Sequence, residues 1–361
     1  MGPGAEKRER FRQVAREIAA KISAKKEIVG VFLFGSAVSG GSDEESDVDV
    51  GLVYGGSRIR EGREERRIEG IRVDVCHYPA SRFSGVFESE SMRGKRDTWF
   101  NASLWLGLMR GCEIIEDPLG LLRRWKEAAL SWKWREGEIE HLELAYLKNL
   151  SAANLFIEEK RVLETLVFLR EALGAAVCAR LMRSNLVPYW DPRFLYRSIV
   201  SSCELAGLRG FYERLNDLDA VDASLLRSLL KKLRFYVERE GEKSSGVATH
   251  FHNALDGYWR RQYASALLSA RLSAFLLAPR VVYGPSASLP PLADRILDGG
   301  QHVEMIKKLE GSDKGFHGFY LNLLFVERWK LEALRGALDA LCAISNGKKG
   351  GLKTPSRQEE T

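Results

Sequence analysis

Three short stretches hold the residues best suited to chemistry: "FLFGS" (32–36), "SDVDV" (46–50) and "RVDV" (72–75). Asp47 and Asp49 are one residue apart, and Asp74 follows 25 residues after Asp49 within its own alternating run. On a strand, successive side chains point to opposite faces. Asp47 and Asp49 therefore share a face with Gly51, while Val48, Val50 and Leu52 take the other. In 71–78, Ile71, Val73 and Val75 share one face, and Arg72, Asp74 and Cys76 the other. If both apolar faces cover one core, three carboxylates converge on a single patch, on the open face of a sheet. Adjacent carboxylates raise one another's pKa unless a cation lies between them. An all-oxygen set without clustered His or Cys favours Mg²⁺ or Mn²⁺. Two such ions, about 3.5–4 Å apart, clamp an in-line phosphoryl displacement. Gly35 lets backbone N–H groups approach phosphate oxygens, and the Ser36 hydroxyl adds a donor. The pattern reads as a triphosphate cradle opposite a metal-binding carboxylate triad.

The elements that must position these residues follow from periodicity. Phe11, Val14, Ile18 and Ile22 recur at helical spacing and predict a helix over 7–26. The runs 27–34, 48–54 and 71–78 predict strands, with a long hydrophilic connection, "GGSRIREGREERRIEG", between the second and third. A helix is expected over 91–108 and a short strand in "GCEIIEDP" (111–118). This order is an α+β pattern. Beyond residue 122 the signals are helical, at 138–158, 160–184, 193–206, 223–240, 250–277 and 316–344. The expected organisation is a catalytic domain over 1–122, an all-helical substrate-binding domain over 123–345 and a disordered tail over 346–361.

The chain has 361 residues and a net charge of +6. Residues 1–120 hold 19 Lys/Arg against 20 Asp/Glu, leaving 36 against 29 in the remainder. The basic surplus thus falls in the helical part and points to an anionic acceptor, RNA first. Five scattered cysteines without a CxxC pair argue against a zinc knuckle or a disulfide framework. The charged first residues lack an apolar signal core, and the most apolar run, 263–282, is interrupted by Arg271 and reads as a buried helix. A cytoplasmic location without a membrane partner is the expectation.

A hydrophobic strand, Gly-Ser, a loop of about ten residues, Ser-Asp-x-Asp and a later strand-borne Asp resemble the polymerase-β-type nucleotidyltransferase superfamily. The resemblance spans roughly residues 27–120. It implies a mixed sheet with flanking helices, with Asp47 and Asp49 holding two metal ions. It also implies that Asp74 completes the metal site and activates the acceptor hydroxyl, and that Gly35 and Ser36 bind phosphates, Ser46 being counted with them. Gly40 matches a frequent second glycine. The helical remainder resembles, through its architecture and "FLREALGAA" (168–176), the substrate domains of kanamycin-nucleotidyltransferase-like proteins.

The implied reaction moves a nucleoside monophosphate, with ATP the favoured donor, to an acceptor hydroxyl and releases pyrophosphate. Alternatives on the same scaffold are an aminoglycoside-like or protein acceptor, or a regulatory protein that binds Mg-NTP or RNA without turnover. An EF-hand reading of "DEESDVDVG" fails, because the twelfth residue from Asp47 is Arg58 rather than Glu. A glycosyltransferase reading of Asp-x-Asp explains neither Gly35-Ser36 nor Asp74. Further candidates for phosphate or acceptor contacts are Arg93, Lys95 and Arg96, against a solvated helix start, and Tyr189, Trp190 and Arg193, against aromatics capping a helical core. "HFH" (250–252) reads as structural or surface histidine, since no further ligand lies near it in sequence.

Overall fold

The computed structural model describes residues 3–22, 27–35, 38, 48–56, 62–68, 70–240, 245–284 and 292–345. Ser36, Gly40, Ser46, Asp47 and the expected tail lie outside them. The chain divides into two compact units, 1–138 and 139–361.

In the first unit, α1 (Pro3–Ile22) precedes β1 (Ile28–Phe34), β2 (Val48–Tyr54), β3 (Gly62–Ile68) and β4 (Ile71–Pro79). Helices α2 (Ala80–Phe87) and α3 (Thr98–Gly111), strand β5 (Glu113–Glu116) and α4 (Leu121–Ser131) follow. The sheet order is β3-β4-β2-β1-β5. Only the β2–β4 pair is parallel, and the other pairs run antiparallel, so the sheet is mixed as expected. One face packs Val31, Leu33, Val48, Val50, Leu52, Val73 and Val75 against Phe11, Val14, Ala15 and Ile18 of α1. This is the valine core that strand alternation predicts.

The opposite face, which carries the carboxylates, is covered in part. Phe32 and Tyr78 meet Phe83 of α2 with ring centroids 6.2 and 5.9 Å apart, and Trp105 and Trp125 pack on Phe83 at 4.9 and 5.1 Å. Gly51 is required there, because a Cβ at that position would run into the Phe32 ring. The burial of aromatic area explains why three helices cover this face. On α4, Leu122 packs where a Gly30 Cβ would stand, and Trp125 is almost fully buried. The division at 138/139 therefore falls later than the expected 122/123, since α4 belongs to the core of the sheet unit.

The hydrophilic connection between β2 and β4 contains a strand. β3, "GREERRI", is exposed along most of its length and forms the sheet edge. Its charges hide it from a search for apolar alternation, and charge on an edge strand suppresses pairing with other chains. The expected helix over 91–108 begins only at Thr98, after a 3₁₀ turn at Glu90–Met92.

In the second unit, as expected, the described residues form helices and no strand. The longest are α5 (Glu136–Glu158, entering from the first unit), α6 (Val162–Arg183), α9 (Ala223–Arg239) and α11 (Tyr263–Tyr283). Between them lie α7 (Pro192–Ser201), α8 (Ala206–Leu215) and α10 (Ser245–Trp259). The chain continues through α12 (Leu292–Arg295), α13 (Gly299–Ser312), α14 (Lys314–Leu324) and α15 (Leu331–Ser345). Two long helical readings thus resolve into pairs, broken at left-handed Arg261 and Phe325. By length and composition α11 could cross a membrane, yet most of its apolar window is buried in the protein, as befits a core helix. The pivot of this unit is Asp217, fully buried and left-handed, which accepts from Arg170 Nη2 at 2.6 Å and Trp329 Nε1 at 3.1 Å.

Candidate active site

Parallel pairing sets Asp49 of β2 and Asp74 of β4 directly opposite each other. Equal register on neighbouring strands puts both carboxylates on one face. On the other side of β2, antiparallel pairing sets Phe34 opposite Asp49. Gly35 follows immediately, with φ of +70°, and an added Cβ would clash with Asp49 Oδ2. Glycine is thus required twice over, by its left-handed backbone and by the carboxylate against it. Gly35, Asp49 and Asp74 are brought together as expected.

The burial of the two acids differs. Asp49 is half-buried, whereas Asp74 is 1% exposed. A buried carboxylate demands a cation. Arg63 provides it, donating from Nη2 to Asp74 Oδ2. The arginine comes from β3, where it is the register partner of Cys76, and it reaches Asp74 diagonally across the strand pair. Burial works to lower the Arg63 pKa, but the bond to Asp74 and the charges of Asp74 and Asp49 outweigh it and raise the value. Cys76, on the carboxylate face by alternation, has its thiol pushed up to about 11 by burial, reinforced by Asp49 and Asp74. It is a neutral neighbour of the acids at ordinary pH.

Sequence reasoning missed Arg63 because it missed β3. A signal was present in Gly70, which has φ of +79° next to Ile71, itself paired with Ile68. An x-Gly pair between two runs marks a tight hairpin.

Among the described residues no group of three acidic, His or Cys side chains is placed to hold a metal. The two described acids are oxygen donors in equal register on one face, as a divalent ion requires, and Arg63 stands at the Asp74 oxygen where such an ion would compete with it.

The remaining candidates are distributed elsewhere. Arg93 is built into the first unit, stacked 3.7 Å over Trp132 and 3.2 Å from the buried Glu138 carboxylate. It clamps the turn after α2 to the start of α5. Lys95 and Arg96 are exposed. Tyr189, Trp190 and Arg193 belong to the second unit, where Tyr189 contacts Phe194 at 5.4 Å and the Arg193 guanidinium lies 4.5 Å over the same ring. Trp190 meets His250 edge-on at 6.2 Å, and His250 lies 3.6 Å from Asp191, with its pKa lowered by burial.

Residues 15–102 match the nucleotidyltransferase domain family. No curated protein matches the sequence. A nucleotidyltransferase-like protein from Exiguobacterium sibiricum is similar over 86% of this chain and 91% of its own, with 12% identity and a TM-score of 0.36.

Proposed function

We propose that the chain, whose residues 15–102 match the nucleotidyltransferase domain family, transfers a nucleoside monophosphate from an NTP to an acceptor hydroxyl. The acceptor oxygen bonds to the α-phosphorus, the bond to the β-phosphate bridge breaks, and pyrophosphate leaves. The observation that carries this reading is the opposed pair Asp49 and Asp74 beside the Gly35 turn.

Asp47, Asp49 and Asp74 are the residues that would hold two Mg²⁺ or Mn²⁺ ions. Such ions neutralise phosphate charge and lower the pKa of a bound hydroxyl. Gly35 lets the backbone turn directly against Asp49, and its N–H together with the Ser36 and Ser46 hydroxyls would serve as phosphate donors. The Asp74 carboxylate receives the acceptor's proton, and its burial keeps water from competing for it. Arg63 pairs with Asp74 in the absence of substrate.

AMP is the group we favour for transfer. The basic surplus beyond residue 120 favours a polyanionic acceptor, RNA first. The test is incubation with labelled ATP, CTP, GTP or UTP in turn, together with total RNA and Mg²⁺. Label in RNA identifies donor and acceptor together. An Asp47→Ala, Asp49→Ala variant should remain folded and release no pyrophosphate. Full release from that variant would sink the mechanism, and nucleotide binding without product from any acceptor would make the protein a binder rather than an enzyme.

A further inference from the structure

A cavity of about 150 Å³ lies wholly within the second unit. A cavity of that size holds one benzene-sized ring. Its walls are mainly apolar, with Trp190, Leu195, Leu268, Leu272 and Phe275 among them. Two arginines also line it, Arg170 from α6 and Arg271 from α11.

The two guanidinium groups are satisfied very differently. Arg170 spends all three nitrogens: Nε donates to Leu215 O at 2.8 Å, Nη1 to Leu324 O at 2.9 Å and Nη2 to Asp217 at 2.6 Å. Arg271 spends two, Nε on Leu323 O at 2.8 Å and Nη1 on Asn216 O at 2.7 Å. Its Nη2 is buried and has no hydrogen-bond partner among the described residues. The nearest carboxylate, Asp217, stands 3.9 Å from it and is already engaged by Arg170 and Trp329. The side chain is only 10% exposed, so water does not freely supply the missing acceptor. A buried charged donor without a partner is costly and calls for an anionic one.

The carboxylates nearby are engaged elsewhere. Asp217 takes its short contact, 2.6 Å, from Arg170 and only a 3.9 Å one from Arg271. Glu171, the acid on the wall, faces His302 Nδ1 at 3.0 Å, and His302 Nε2 in turn meets the Tyr320 hydroxyl at 2.9 Å. Burial, and then the neighbouring charge of Arg170, pull the Arg271 pKa down to about 9, more than Asp217 can restore. What the site lacks is an acceptor for Arg271 Nη2.

We propose that this cavity is a binding site for a small organic anion, a ring-sized apolar body bearing one carboxylate, whose oxygen meets Arg271 Nη2. The apolar walls take the body, and Trp190 forms one side of the slot. The site stands on residues of the helical unit alone and is independent of the nucleotide chemistry proposed above.

The test uses sodium benzoate on the full-length protein, with benzyl alcohol and benzylamine as neutral and cationic controls of similar size. Benzoate should raise the melting temperature saturably by about 3 °C or more. Equilibrium dialysis should show benzyl alcohol binding at least tenfold more weakly, and benzylamine not at all. Arg271→Met should abolish the preference for benzoate over the alcohol, and Val167→Phe, which fills the cavity, should abolish binding of both. No benzoate binding, or equal binding of benzoate and benzyl alcohol to the unaltered protein, overturns the proposal without recourse to any variant. Undiminished benzoate binding in a folded Val167→Phe protein overturns it equally.

Discussion

Arg63→Gln is the most informative single change, because the two ends of its ion pair differ so strongly in exposure. The Arg63 side chain is 52% exposed and that of Asp74 only 1%. An exposed pair contributes about 0–1 kcal/mol, whereas breaking a fully buried pair costs about 3–5 kcal/mol because a charge is stranded. The half-exposed arginine lets water reach one side of the pair, so the expected cost is about 2 kcal/mol. For a 138-residue unit that corresponds to a fall in melting temperature of about 6 °C. Asp74→Asn should cost much less, since the arginine it strands is already half in solvent. The double variant should recover most of the loss, with a coupling of about 1.5 kcal/mol in the cycle. The assay is thermal unfolding of the four proteins, with and without Mg²⁺. If a divalent ion belongs at this site, Mg²⁺ should stabilise Arg63→Gln more than the unaltered protein. A shift under about 2 °C for Arg63→Gln would refute the reasoning, as would an Asp74→Asn cost that is the same in both backgrounds.

Gly35→Ala should cost about 1–3 kcal/mol in unfolding experiments, from its left-handed φ and its clash with Asp49, and should abolish pyrophosphate release. Arg170→Met removes the 2.6 Å donor to fully buried Asp217 but leaves Trp329 and Arg271 beside it, and should destabilise the helical unit by about 1–3 kcal/mol by denaturant titration. The Cys76 thiol, pushed up to about 11, should resist iodoacetamide at pH 8 while exposed Cys203 reacts, as mass spectrometry would read. The same shift sets a pH dependence. Below pH 9 both states hold the proton, but between about 9 and 11 the unfolded chain releases it first, so stability should fall as pH rises through that window.

The parts of the site legible in the sequence are those that depend on neighbours along the chain. Alternation through "SDVDVGLV" and "IRVDVCHY" assigned valines to one face and carboxylates to the other, and this is a property of the strand itself. The Gly35 turn was legible for the same reason, as was the change from strands to helices beyond the first unit. Arg63 was not legible, because its partner is reached across an edge strand whose charged residues show no apolar period. Arg93 illustrates the opposite error. Its position after the third recognised strand suggested a phosphate contact, but Glu138, 45 residues away, determines where it points.

What the sequence determined by itself is therefore local: which runs become strands, which faces are acidic, and where the chain must turn on glycine. Only the tertiary structure decided that the carboxylate face is roofed by Phe83, Trp105 and Trp125, that Asp74 is sealed from water, and that Arg63 answers it. It also decided that Arg170 and Arg271, on helices about 100 residues apart in the chain, share Asp217 around one cavity. Side-chain alternation and helical period act over a few residues and can be read in order. Burial and the pairing of buried charges depend on which distant segments meet, and those meetings exist only once the core has closed.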